Sequence, residues 1–302
     1  MTLTIGMILD ALLGEPKWLW SRVPHPAVLM GRVIGWMDEA LNQGAARKAK
    51  GIAALVIMVL SALAIGLLLR AIPGTVVEVI ALAVLLAQRS LCDHVLAVAR
   101  GLRISLGDGR RAVAQIVGRD TNDMTEADIA RAAIESGAEN LSDGVIAPIF
   151  WFVIGGLPGL LIYKITNTAD SMIGYRTDRH AEFGWAAARF DDLLNWVPAR
   201  ITAGLILLVT LRFDVFDGVV DDAPLHRSPN AGWPEAALAH ALNFALSGPR
   251  VYDGTVQDYP FVNTRGIREL NADHITEAVW ILWRVWAAVL MPALLIGLFL
   301  IS

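Results

Sequence analysis

Cysteine is almost missing from this chain: Cys92 stands alone, which excludes an intrachain disulfide, a multi-thiolate zinc site and a dithiol redox motif. Gly-x-x-x-x-Gly-Lys-Ser/Thr and Gly-x-Gly-x-x-Gly are also missing, so nucleotide binding cannot rest on a P-loop or a Rossmann turn. Charge is scarce too. Asp, Glu, Lys and Arg make up only 18% of 302 residues, net −4 with no basic stripe, which removes support for nucleic-acid binding. Apolar residues fill the space instead, at 55% with a mean hydropathy of +0.53, the bulk of a membrane protein.

The apolar residues gather into runs, and a run of about 20 crosses a hydrocarbon core of roughly 30 Å. Residues 51–69 carry no charge and are bracketed by Arg47, Lys48, Lys50 and Arg70, the clearest span. Residues 75–87 follow the Ile72-Pro73-Gly74 turn, contain Glu78, and predict a shorter second helix returning to the starting side. Residues 285–301, preceded by Trp280, Trp283 and Trp286, predict a last span with an interfacial aromatic belt and a kink at Pro292. Run 3–13 is too short to span, contains Asp10, and lacks the basic leader and small-residue cleavage site of a signal peptide.

Two runs are less simple. Residues 144–165 are interrupted by Gly155-Gly-Leu-Pro-Gly159, and residues 197–211 are short and hold Arg200 near their start. Both are predicted to be re-entrant or half-length helices, tolerable where protein or a wet cavity covers the broken backbone. Lys17, Arg22, Arg32, Arg47, Lys48 and Lys50 precede the first span, so the N-terminus is assigned to the cytoplasm. Two crossings then return the chain, placing residues 88–143, with seven arginines, in the cytoplasm. Within them, 91–102 and 126–141 show helical spacing, with Thr125 as N-cap of the second, and Gly118-Arg119-Asp120-Thr121 in a loop. Parity places 214–280 in the cytoplasm as well, if both interrupted runs cross or neither does. The predicted fold is all-α, a polytopic integral membrane protein with cytoplasmic helical loops and one domain over 1–302.

Polar groups collect at the edges of the apolar runs. In Glu135-Ser-Gly-Ala-Glu-Asn-Leu-Ser-Asp143 the carboxylates of Glu135 and Glu139 share a helix face, and Asp143 continues the stripe, a ladder of hard oxygens suited to Mg²⁺ with phosphates; Asn140 adds an amide. Lys164-Ile-Thr-Asn-Thr-Ala-Asp170 places Asn167 and Asp170 one turn apart, ahead of Arg176 and Arg179. Asp191, Asp192, Asn195 and Arg200 form a third cluster, and a turn rich in proline between Asp222 and Glu235 holds His226, Arg227 and Asn230. A helix end seated in headgroups explains any one of these. Several together at membrane edges point to a site, because ionisable groups there are costly.

These residues carry a resemblance. Leu13-Gly14-Glu15-Pro16, His25-Pro26, Met30-Gly31-Arg32, and the stretches 135–148, 163–176, 184–200 and 228–236 are similar to the adenosylcobinamide-phosphate synthases of cobalamin biosynthesis, the CobD and CbiB proteins. The resemblance runs nearly end to end and is weaker over 88–116 and 253–268. It implies a multi-pass enzyme of the cell membrane, its site facing the cytoplasm. Such an enzyme uses ATP and Mg²⁺ to join aminopropanol, or its phosphate, to a propionate carboxylate of adenosylcobyric acid. Partners would be the corrinoid, the bilayer, and other cobalamin-pathway proteins or further copies of the chain.

With no P-loop, carboxylate-bound Mg²⁺ and basic side chains are the chemistry available to hold phosphates. Glu135, Glu139 and Asp143 are assigned the metal, with Glu139 and Asp170 catalytic and His226 the proton carrier, since an unperturbed imidazole titrates near neutrality. Lys164, Arg176 and Arg200 are assigned as anion clamps, with Asn140, Asn167, Asp192, Asn195 and Asn230 as further binding groups. Two rivals stand beside this reading. A Mg²⁺-dependent prenyl or phospho-alcohol transferase is disfavoured by spacing, since Asn167 and Asp170 are three apart and the next acid is Asp178. A transporter or scaffold without catalysis would show an inverted repeat, and none is visible.

Overall fold

The computed structural model describes residues 1–252 and 255–299. It is a helical membrane protein, and four stretches are long and apolar enough to cross a bilayer: Arg47–Arg70, Glu126–Ile173, Trp185–Thr210 and Ala272–Phe299. The chain divides into two compact units, the first made of residues 1–87, 147–196 and 297–302, the second of 88–146 and 197–296.

In the first unit, Arg47–Arg70 realises the clearest predicted span. The return helix does not follow as expected. Val76–Leu85 has 10 residues, about 15 Å at 1.5 Å per residue, half of what a crossing needs. It packs against Thr2–Leu13, where a Cβ on Gly6 would come within 2.6 Å of Leu82 Cβ. Two short apolar helices thus shield one another. Pro26–Leu41 completes the N-terminal part, with His25 capping it by accepting the Ala27 N–H at 3.1 Å.

The interrupted run 144–165 resolves as a helical hairpin. Gly156 takes φ 59°, ψ −149°, a conformation essentially reserved for glycine, and the helix breaks there. Beyond the break the chain turns back: Ala147 and Tyr163 share one buried cluster with Leu194, whereas sixteen residues of straight helix would separate them by about 24 Å. A Cβ on Gly159 would overlap the Trp151 carbonyl oxygen, so only glycine lets the two arms close. The returning arm lies along Arg47–Arg70, Pro158 Cα standing 2.5 Å from where a Cβ on Gly66 would be. The backbone therefore reverses direction within this run.

The other run differs from expectation. Residues 197–211 are not a half-length helix but the end of the 26-residue helix Trp185–Thr210, which continues through Pro198 and is about 39 Å long. Asp191, Asp192 and Asn195 hide it from hydropathy, although Asp191 and Asn195 are buried with their polar groups satisfied. With one run a hairpin and the other long enough to cross, the parity that placed 214–280 with the N-terminus no longer holds.

The second unit begins with Gln88–Ile104, Leu106–Val113 and Glu126–Leu141, three helices where two were expected. Thr125 caps the last in a reciprocal box, its Oγ1 accepting the Asp128 N–H at 3.3 Å while Asp128 Oδ2 accepts the Thr125 N–H at 3.1 Å. A π-turn over Ser142–Ile146 follows, with Asp143 in its first turn. Gly232–Leu242 starts at the proline-rich turn, as its sequence predicts. Four short strands, Leu246–Ser247 with Phe261–Val262 and Arg250–Tyr252 with Thr255–Gln257, interrupt the otherwise all-helical chain. The last span is Ala272–Phe299, passing through Pro292; residues 300–301 of the predicted span lie outside the described residues.

Candidate functional site

The second unit holds a buried ionic centre on Glu126–Leu141. Glu135, 6% exposed, accepts from Arg119 Nη2 at 2.7 Å and Arg250 Nη2 at 3.2 Å on Oε2, and from the Ser247 N–H at 2.7 Å on Oε1. One carboxylate thus sits between two guanidiniums. Glu235, 3% exposed on Gly232–Leu242, is the second carboxyl of the centre, with Oε1 4.0 Å from Arg250 Nη2 and accepting no hydrogen bond. Burial first, then the charges of Glu135 and Glu139, push its pKa from 4.5 up to about 8, so it is protonated at neutral pH.

His226 lies 3.8 Å from Glu235 through Nε2. Its Nδ1 accepts the Ser228 N–H at 3.0 Å, which puts the ring proton on Nε2. Burial and the Arg250 charge lower its pKa to about 4. The contact is therefore between two neutral groups, not an ion pair. This corrects the assignment of His226 as proton carrier: Glu235 is the group here that titrates near neutrality. Beside this centre, Arg200 Nη1 donates to Asn230 Oδ1 at 3.1 Å and its guanidinium lies 4.7 Å from the Trp233 ring, so the third-cluster arginine and the turn meet as a pair.

The metal ladder does not form. Glu135 spends its oxygens on cations and a backbone amide, Glu139 is exposed, and Asp143 lies within the π-turn. Among the described residues no three His, Cys, Asp or Glu side chains gather to hold a metal ion. Asn140 turns back along its own helix, its Nδ2 donating to the Ser136 carbonyl at 2.9 Å.

The first unit gathers its own set on the returning hairpin arm and the start of Trp185–Thr210. Asp191, 7% exposed, accepts from Asn195 Nδ2 at 2.9 Å and Asn167 Nδ2 at 3.3 Å, while Tyr163 donates to Asn195 Oδ1 at 3.0 Å. Asp192 accepts from Arg189 at 3.1 Å and lies within electrostatic reach of Arg176. Asp170 stands within electrostatic reach of both Asp191 and Asp192, and among the described residues its carboxylate accepts no hydrogen bond and pairs with no cation. Asn167, Asp170, Arg176, Asp192 and Asn195 thus come together as expected, with Lys164 one to two turns earlier on the same arm.

Sequence reasoning left Arg119, Asp191, Glu235, Ser247 and Arg250 out of the site. Arg119 sat in a stretch that reads as a solvated turn, and Arg250 follows a Ser247-Gly248-Pro249 turn with no periodicity. Glu235 and Asp191 did carry a signal, the first as the acid closing the proline-rich cluster and the second as a member of the third cluster.

The fold and these centres define a class, a multi-helix membrane protein that buries ionisable groups at the ends of its apolar helices. The comparisons give the family. The profile of the CobD/Cbib protein family matches residues 3–282, and the chain belongs to that family. It is 46% identical over 301 residues to the cobalamin biosynthesis protein CobD of Sinorhizobium fredii, covering 94% of this chain and 92% of that protein. It is 44% identical to the CobD of Rhizobium meliloti over 98% of both chains, and 46% identical to that of Rhodobacter capsulatus over 87% of this chain and 86% of the other. No solved structure matches.

Proposed function

We propose that this protein is a membrane enzyme of cobalamin biosynthesis that joins aminopropanol, or its phosphate, to a propionate carboxylate of adenosylcobyric acid at the expense of ATP. Family membership over nearly the whole chain is the observation that carries this reading. The arrangement of the residues supports it in two respects. Amide formation needs the carboxylate activated and the phosphates held, and without a P-loop both tasks fall to arginines and carboxylates. Asp170 is the carboxylate with no side-chain partner among the described residues, and Arg176 lies within electrostatic reach of the neighbouring Asp192.

A cage of three protein carboxylates does not fit the donor set. Mg²⁺ that arrives with phosphates needs only one or two carboxylates, and Asp170 is the residue suited to that role. When bound, the ion would offset phosphate charge and polarise a phosphoryl oxygen. Arg176 and Lys164 would bind phosphate oxygens, Arg176 through a planar donor fork. Asn167 and Asn195 hold Asp191 in place and so fix the helix on which Asp192 sits.

The test is the purified protein alone with ATP, Mg²⁺, adenosylcobyric acid and either amine, assayed by mass spectrometry of the corrinoid. Formation of the amide with ATP consumption is expected. A protein that turns over prenyl diphosphate, or that yields no amide until another subunit is added, would remove the ligase reading.

A further inference from the structure

Residues 174–184 join the returning hairpin arm to Trp185–Thr210 as a closed loop. Its two ends touch, because a Cβ on Gly184 would overlap the Ile173 carbonyl oxygen. At its root the Gly174 N–H donates to the Asp170 carbonyl at 2.7 Å, and a Cβ on Gly174 would stand 2.0 Å from Asp170 Oδ1, so the carboxylate leans over the first residue of the loop. Arg176 follows, exposed, and among the described residues its side chain donates no hydrogen bond. Its position is therefore set by the loop backbone. That backbone is gripped from Pro26–Leu41. Asp38, buried in the last turn of this helix, accepts on Oδ2 from Arg179 Nε at 3.0 Å and Nη2 at 2.5 Å. Its Oδ1 accepts from Asn42 Nδ2 at 2.8 Å, and the same Nδ2 donates to the Arg179 carbonyl at 2.8 Å. Side chain and backbone of one loop residue are thus held together, and His180 Nε2, also buried, lies 3.5 Å from Asp38 Oδ2.

We propose that Asp38 is a positioning residue for the Asp170 and Arg176 site: through Arg179 and Asn42 it fixes loop 174–184 and so presents Arg176 to the phosphate received beside Asp170. The identity of that phosphate rests on the ligase reading, whereas the grip of Asp38 on the loop does not. Arg47 reaches the same loop, donating to the Asp178 carbonyl at 3.2 Å and pairing with Glu182 at 3.5 Å, but exposed contacts of this kind add little. The Asp38 carboxylate is out of water and serves Arg179 and Asn42 at once, so removing its charge loosens both. A misplacement of about 1 Å is enough to cost a clamping side chain most of its effect.

The test uses the detergent-solubilised full chain in two assays, amide formation and limited trypsin digestion. Asp38→Asn raises the KM for ATP about tenfold with kcat within about twofold of wild type, and Asp38→Glu, which keeps the charge, recovers part of the loss. In an Arg176→Ala background Asp38→Asn changes nothing further, because it acts through Arg176, whereas a general folding defect would add its full effect there. Trypsin reads the grip without turnover. Cleavage after Arg176 or residue 179 quickens about tenfold in Asp38→Asn and in Arg179→Lys, while cleavage after the exposed Arg111 keeps its wild-type rate. Unchanged loop cleavage in both variants, or additive losses in the Asp38→Asn, Arg176→Ala double variant, overturns the proposal. A wild type that forms no amide removes the ligase reading, and the trypsin series alone then upholds or overturns the grip of Asp38. Arg179→Lys, a change at an exposed side chain, replaces Asp38→Asn in both assays if the latter fails to fold.

Discussion

Glu135 and Glu139 differ by one helical turn and by everything that matters physically. Glu135 is the anion shared by two buried guanidiniums, so Glu135→Gln removes the charge facing both, and a buried ion pair broken from one side costs about 3–5 kcal/mol. Glu139 is exposed, and Glu139→Gln should unfold within about 0.5 kcal/mol of wild type. Thermal unfolding in detergent checks the contrast: equal midpoints for the two variants would show that the Glu135 pairs carry nothing. Glu235 adds a dependence on pH. Its folded-state pKa of about 8 lies above the ordinary 4.5, so the folded chain holds the extra proton between those values. Stability from this group is therefore full below pH 4.5 and is lost as pH rises through about 8. Glu235→Gln should not share that loss, and its unfolding midpoint should overtake that of wild type between pH 6 and pH 9. Parallel curves would place the proton elsewhere.

At the scale of elements, what periodicity and caps encode was legible and what pairing across the chain encodes was not. Thr125 and the pattern after it gave Glu126–Leu141 to the residue, and the uncharged run between Lys50 and Arg70 gave its span. Gly155-Gly-Leu-Pro-Gly159 gave a turn, which is where Gly156 breaks the helix. Trp185–Thr210 was cut short because a polar face satisfied by Asn167 and Tyr163, distant in sequence, looks like a helix end when read alone. Arg250 was invisible for the same reason, its role being set by Glu135 more than a hundred residues away. The hairpin turn offers a clean test, since Gly155 and Gly156 are neighbours with opposite requirements. Gly156→Ala forces a side chain into a conformation glycine alone adopts, at about 1–3 kcal/mol, while a Cβ on Gly155 meets nothing within 4 Å. Loss of folded yield in membranes for the first and wild-type yield for the second is expected; equal yields would mean that the break at Gly156 is not required.

For the molecule as a whole, the hairpin decides on which side of the bilayer the polar cluster of the first unit works. The N-terminal end of Arg47–Arg70 carries Arg47, Lys48 and Lys50, which keeps it cytoplasmic by the positive-inside rule. The loop that follows the returning arm is tied to that same end: Arg47 Nη1 donates to the Asp178 carbonyl at 3.2 Å, Arg47 pairs with Glu182 at 3.5 Å, and a Cβ on Gly51 would overlap the Phe183 carbonyl oxygen. Surface ion pairs of this kind add little stability, but the glycine contact fixes the position. We propose on this basis that Asp170 and Arg176 open to the cytoplasm, where ATP is, and that the turn after Arg70 opens to the other side. Single cysteines at Ala45, Thr75 and Thr177, in a Cys92→Ala background that removes the buried native thiol, report this directly in intact cells. An impermeant maleimide should label position 75 and spare 45 and 177. Labelling of 177 together with 75 would mean that residues 144–165 cross outright, the hairpin would be wrong, and Asp170 would face away from the nucleotide it is proposed to serve.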